Sequence, residues 1–99
     1  MEVKMKLNEM VTVLTDLPSK KYEVLVSVRC IDDLELEDNT FNSLLALFKR
    51  IGKYKPLFHL KSLVVTGLPT DIISILSNPA NARFFENVTF DLNDRNVTV

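Results

Sequence analysis

Cys30 and His59 are the two side chains in this sequence that most often act as nucleophile or base. The chain has one cysteine and one histidine, which are too few for a zinc site built from Cys and His alone. A Cys–His pair needs a third group to orient the imidazole, and no motif of a catalytic cysteine surrounds Cys30. We expect no catalytic residue, with Cys30 on a buried strand and His59 on a surface loop.

An acidic run is the second cluster with chemical potential. Its five carboxylates fall within seven residues: Asp32, Asp33, Glu35, Glu37 and Asp38. The run lacks the Asp/Asn spacing and the glycine of a calcium-binding loop. The two glycines, Gly52 and Gly67, are too far apart for a phosphate-binding loop. We expect no metal and no cofactor, and we keep a small enzyme or metal-binding protein using residues 32–38 as an alternative.

The charge balance and the hydropathy argue against two further classes. The 12 basic and 13 acidic residues give a net charge of −1, whereas nucleic-acid binding needs clustered positive charge. No apolar run could span a bilayer, and the first residues do not form a signal peptide. We therefore expect a cytoplasmic protein that contacts neither nucleic acid nor a membrane.

Hydrophobic periodicity predicts the elements that position these residues. Apolar and polar residues alternate over residues 2–7 and again over 10–14, which predicts an antiparallel hairpin turning at Asn8-Glu9. Valine-rich alternation predicts a strand over 22–30. The alternating Leu34 and Leu36 make the acidic run strand-like as well.

A helix is predicted to follow the good N-cap residues Asp38, Asn39 and Thr40. Its apolar stripe has helical spacing and consists of Phe41, Leu44, Leu45, Phe48 and Ile51. Leu47 lies off this stripe and is free for a partner, and Gly52 is a natural stop.

The rest of the chain predicts a connection over 54–59, strands over 60–66 and 87–92, and helical segments over 72–76 and 80–85. Residues 97–99 are read as a short tail or edge strand. The whole reads as one α/β domain of 99 residues. Its mixed sheet combines the N-terminal antiparallel hairpin with parallel strand–helix–strand units and two or three helices.

The order of these elements resembles the STAS domain, the fold of bacterial anti-sigma factor antagonists. Three local strings carry the resemblance: Asp38-Asn39-Thr40-Phe41 at the turn, Leu44–Arg50 in the helix, and Leu63–Pro69 in the strand and its exit. The second helix, from Asp71 to Leu76, and the pair Phe84-Phe85 fit the same pattern. Two features depart from it, because no helix fits between Leu14 and Tyr22 and because Asn39 occupies the position of the phosphorylated hydroxyl.

The resemblance implies a non-enzymatic, regulatory protein–protein interaction domain. The expected partner-binding residues are Asp38, Asn39, Thr40, Phe41, Asn42, Ser43 and Leu47. Thr40, one position beyond the family's site, is the hydroxyl that could carry a phosphate. A homodimer through the valine-rich strand edge is compatible with this interpretation.

A rival resemblance is to leucine-rich repeats. Strand-like strings begin at Ile31, Leu60 and Phe85, at intervals within the usual range for such repeats. This alternative implies a short arc with parallel strands at Leu34, Leu63 and Val88. It would act as a binding scaffold or as a subunit of a larger assembly.

Overall fold

The computed structural model describes residues 5–28, 32–51, 54–57 and 61–93. The helices are α1 (Leu7–Thr15), α2 (Leu34–Phe48) and α3 (Pro69–Leu76). The strands are β1 (Tyr22–Val28), β2 (Tyr54–Leu57), β3 (Ser62–Gly67) and β4 (Val88–Asn93). Two 3₁₀ segments, Lys49–Ile51 and Pro79–Phe85, complete the described elements. Predictions that concern residues 2–4, Cys30, Ile31, Gly52, His59 and residues 97–99 lie outside the described residues.

The four strands form one sheet in the order β2-β3-β1-β4, and each neighbouring pair is antiparallel. β1 and β2 therefore run in the same direction with β3 between them. β3 and β4 likewise run in the same direction with β1 between them. From β1 onward, the elements β1-α2-β2 and β3-α3-β4 form two interleaved β-α-β units, which is the ferredoxin-like arrangement. Helix α1 precedes these two units.

One face of the sheet carries the core. Tyr22, Val24, Val26 and Val28 of β1 are buried, while the residues between them are half-buried. The helices pack on this same face, and their apolar stripes complete a continuous cluster. The helical members of the cluster are Met10, Leu14, Phe41, Leu44, Phe48, Ile72, Leu76 and Phe85. The described part of the chain is thus a layer of helices on an antiparallel sheet.

The N-terminal hairpin prediction is wrong, because residues 7–15 form helix α1. Met10 and Leu14 are buried by α3 and β4, so the helical spacing of this short segment outweighs the alternation of its valines. Thr12 and Thr15 donate their hydroxyls to carbonyls four residues earlier, which accommodates these β-branched residues in a helix. Before the helix, Met5 alone pairs with Phe90 of β4.

The strand-like interpretation of the acidic run is also wrong. Helix α2 already begins at Leu34, after the cap residue Asp33. Asp38, Asn39 and Thr40 are therefore in the helix and do not cap it. A leucine-rich-repeat strand at Leu34 is not formed for the same reason.

The parallel pairing is wrong because the sequence interpretation missed one strand. Residues 54–57 were assigned to a connection, yet they form β2 and pair with β3. A strand inserted before β3 reverses the direction of β3 relative to β1. The predicted neighbouring parallel strands thereby become an antiparallel pair; among the described strands, β1 and β2, and likewise β3 and β4, run in the same direction but are separated by an intervening strand.

The remaining elements are close to prediction. Strand β1, strand β3, the second 3₁₀ segment and strand β4 lie where hydrophobic periodicity places them, within about two residues at the described ends. Helix α3 ends at Leu76 as predicted but begins at Pro69, three residues before the predicted start. Each has a strong alternating or helical pattern, which is the most reliable local signal.

Candidate interaction surface

Helix α2 is held on the sheet by three buried side chains. Phe41, Leu44 and Phe48 are at most 1% exposed and lie at the i, i+3 and i+7 positions of one helix face. A side contact adds to this anchor: Lys61 Nζ lies 2.7 Å from Asp38 Oδ1 and 5.6 Å from the centre of the Phe41 ring. The central part of α2 is therefore tied both to the core and to the start of β3.

The helix begins in a run of acidic side chains. The Asp33 carboxylate accepts a hydrogen bond of 2.9 Å from the backbone N–H of Leu36, which caps the helix. Glu35 and Glu37 occupy the first turn. Carboxylates at a helix N-terminus interact favourably with the unpaired N–H groups there, by roughly 0.3–1 kcal/mol each.

The first turn of α2 projects beyond the core. Leu34 is 73% exposed and Leu36 is 44% exposed, and Glu35 between them is exposed as well. Successive helical residues point about 100° apart, so these three side chains span about 200° around the helix, and Glu37, which points into the remaining arc, is half-buried. The first turn therefore has no fully buried side chain. Among the described residues, Leu34 and Leu36 are the large apolar side chains that remain exposed.

The predicted partner-binding residues do not all share one side of α2. Asp38 and Leu47 are nine positions apart, which is two and a half helical turns and places them on opposite sides. Asp38 points toward its ion-pair partner Lys61. Phe41 is 1% exposed, so the prediction that it lies on the partner surface is wrong. Asn42 is exposed.

Three predicted residues do share a side, together with one that the sequence interpretation missed. Leu36, Thr40, Ser43 and Leu47 follow one another at intervals of four, three and four residues, which makes a straight stripe about 16 Å long. Thr40, Ser43 and Leu47 are half-buried. Ser43 Oγ donates to the carbonyl of Asn39 at 2.9 Å, so its hydroxyl proton is taken up by the helix backbone.

The stripe ends in a cleft of about 290 Å³ between α2, α3 and the second 3₁₀ segment. Leu47 and Ile75 form its apolar walls, while Arg50 and Asp71 bring opposite charges to its rim. The Asn81 side chain, also in this cleft, donates to the carbonyl of Ile75 at 3.1 Å. The surface of α2 is thus acidic at one end and basic at the other, with leucines at both ends.

The described residues contain no cluster of three or more His, Cys, Asp or Glu side chains that could hold a metal ion. The acidic side chains of α2 point in different directions around the helix, which explains why a dense run in sequence does not converge in space. Within the same residues, no helix is both long and apolar enough to cross a membrane.

Comparison with known proteins gives no match: no family model, no curated protein and no solved structure is significantly similar to this chain. Function is therefore inferred from the geometry of α2.

Proposed function

We propose that this chain is a non-enzymatic protein–protein interaction domain that binds its partner through the N-terminal half of α2. The observation that carries the proposal is the exposure of Leu34 and Leu36 at the start of an acidic, capped helix. An exposed leucine by itself is ordinary. These two leucines lie about 200° apart on a projecting helical turn, so a partner that encloses the turn can bury both.

The chemistry of this helix end defines the kind of partner. A projecting helix is recognised by a groove that encloses its apolar side chains. The carboxylates around the leucines favour a groove with basic residues on its rim, since complementary charge speeds association and excludes wrong partners. The stripe from Leu36 to Leu47 gives the same partner a second contact along α2.

The regulatory part of the proposal is supported by the sequence resemblance to anti-sigma factor antagonists. Thr40 lies on the stripe between Leu36 and Ser43, so a phosphate there would add negative charge within the proposed contact surface. A phosphate on the stripe would lose its hydration against the apolar interior of the groove, unlike carboxylates that face the basic rim, and it therefore disfavours binding. Thr40 is thus the position at which modification would change binding most directly.

The test uses the variants Leu34→Asp and Leu36→Asp, with Ala46→Asp as the matched control. All three positions are exposed on α2, so each variant is expected to fold. Ala46→Asp should cost the most, roughly 1 kcal/mol, because it replaces the best helix former and puts a carboxylate in the last turn of α2. A partner captured by the wild-type protein from a lysate of the source cells is purified and its affinity is measured by calorimetry. We expect both leucine variants to weaken binding at least about tenfold, as truncation of interface anchors does, and Ala46→Asp to bind like wild type. Equal affinities for all four proteins would show that the partner binds elsewhere.

A further inference from the structure

The sheet face opposite the helices, which we call the outer face, carries an ordered pattern of side chains. Its members alternate with the core residues along each strand. They are Glu23, Leu25, Ser27, Lys55, Leu57, Ser62, Val64, Thr66, Thr89 and Asp91. All the described helices contribute to the core on the other side, so no described helix covers the outer face.

The strand register places a row of four side chains across the middle of the outer face. Lys55 lies opposite Val64, Val64 opposite Leu25, and Leu25 opposite Asp91. The row therefore has a positive end, two apolar residues and a negative end. Lys55 and Asp91 are three strand spacings apart, about 14 Å, which is too far for an ion pair within one copy.

From this row we infer that the outer face binds a second copy of the same chain, sheet to sheet, about a two-fold axis parallel to the strands. That rotation reverses the order of the row. It sets Lys55 of one copy over Asp91 of the other, and Val64 over Leu25, at the separation of about 10 Å at which sheets pack. A two-fold axis perpendicular to the strands would instead set Lys55 over Lys55 and Asp91 over Asp91.

The flanking rows are compatible with the same rotation. On one side, Ser62 would face Ser27 of the other copy; Ser62 is only 4% exposed within one chain and its hydroxyl donates to Ser27 at 3.0 Å there, so this row adds little to the contact. On the other side, Thr66 would face Glu23, so no like charges meet there. No like charges are opposed in any of these pairs, so the face is complementary to itself in this orientation.

The size of the outer face sets the strength of the association. Four strands and three rows cover roughly 400 Å² per copy from strand spacing and rise. A dimer would thus bury roughly 800 Å² in total, below the range of stable interfaces. We expect weak self-association that depends on protein concentration.

Charge exchange tests the pairing. Sedimentation equilibrium is measured from about 10 μM to 1 mM, the range that a small interface requires, for wild type, Lys55→Glu, Asp91→Lys and the double exchange. Each single reversal opposes like charges at both ends of the row and should weaken the dimer at least about tenfold. The double exchange should restore it, and an equimolar mixture of the two single variants should form a heterodimer. Glu86→Lys, an exposed charge reversal outside the outer face, should dimerise like wild type.

Methyl NMR measures self-association through the outer face separately from any binding at the partner surface on α2. On dilution, the resonances of Leu25 and Val64 should shift with concentration, while those of Leu34 and Leu36 stay fixed. If Asp91→Lys lowers the thermal midpoint of unfolding, Asp91→Asn is used in its place. Asp91→Asn removes the charge with little change of shape and should still weaken the dimer. A wild-type protein that is monomeric at 1 mM, or a dimer insensitive to both reversals, overturns the inference and leaves the proposal for α2 standing.

Discussion

The aromatic contact between Phe48 and Phe85 links α2 to the second 3₁₀ segment, and its loss should have a measurable coupling energy. The ring centres are 6.3 Å apart with an interplanar angle of 60°. Phe85 in turn lies 5.8 Å from Phe90 of β4. All three rings are at most 4% exposed, so this chain of rings connects α2 to the far edge of the sheet through the core.

The perturbation is a double-mutant cycle with Phe48→Leu and Phe85→Leu. Each change keeps an apolar side chain of similar size, so each should cost about 1–1.5 kcal/mol of unfolding free energy. An edge-to-face pair is worth about 0.5–1.5 kcal/mol beyond the area it buries. Because the double variant loses this pair only once, its cost should fall short of the sum of the single costs by that amount.

Urea unfolding followed by circular dichroism measures the cycle, since a chain of this length should unfold in a single transition. The cycle of Phe48→Leu with Phe84→Leu is the matched control. Phe84 is half-buried and its ring lies 5.0 Å from the Arg83 guanidinium. We expect this control cycle to be additive within about 0.5 kcal/mol. The reasoning is refuted if the Phe48/Phe85 cycle is equally additive.

Two further changes test local features. Asp33→Ala removes the cap hydrogen bond of α2 and should lower the unfolding free energy by about 1 kcal/mol, with Asp33→Asn, which keeps an acceptor, close to wild type in the same urea titration. Thr89→Val should raise the thermal midpoint, because Thr89 Oγ1 is buried without a hydrogen-bond partner and replacing an unsatisfied hydroxyl by a methyl recovers about 1 kcal/mol. Thr66→Val, a half-buried position on the same face, is the control, and an equal gain at both positions would mean that strand propensity and not the buried hydroxyl is responsible.

Much of the fold could be predicted because its long strands alternate clearly. The valines of β1 and the apolar residues of β4 identify both strands and the faces they bury. The four-residue strand β2 could not be predicted in the same way, since it contains Pro56, which is tolerated mainly at sheet edges. Missing this one strand changed the predicted sheet from antiparallel to partly parallel.

The misassigned segments were short windows in which two periods fit equally well. Residues 7–15 satisfy both alternation and helical spacing, and the burial of Met10 and Leu14 against α3 and β4 decides for the helix. In the acidic run, Leu34 and Leu36 alternate as in a strand, but Asp33 caps a helix that starts there. The tertiary contacts that settle these cases are not visible in a local pattern.

The candidate surface was predicted only in part. The sequence places Thr40, Ser43 and Leu47 off the core stripe of α2, and the structure puts them on one side. Leu34 and Leu36 were missed because a strand interpretation gave them a buried face. The signal that could have identified them as exposed was their position among five acidic residues, since core residues of a helix seldom alternate with charged ones.

The central claim is that a partner encloses the projecting turn of α2, and site-specific photo-crosslinking tests it most directly. A benzophenone amino acid is placed at position 36, and at position 46 as the control, and each protein is irradiated in a lysate of the source cells. The account predicts one dominant crosslinked protein at position 36 that is absent at 46 and that is lost when Leu34→Asp is added. Equal crosslinking at both positions, or a crosslink at 36 that survives Leu34→Asp, would contradict it.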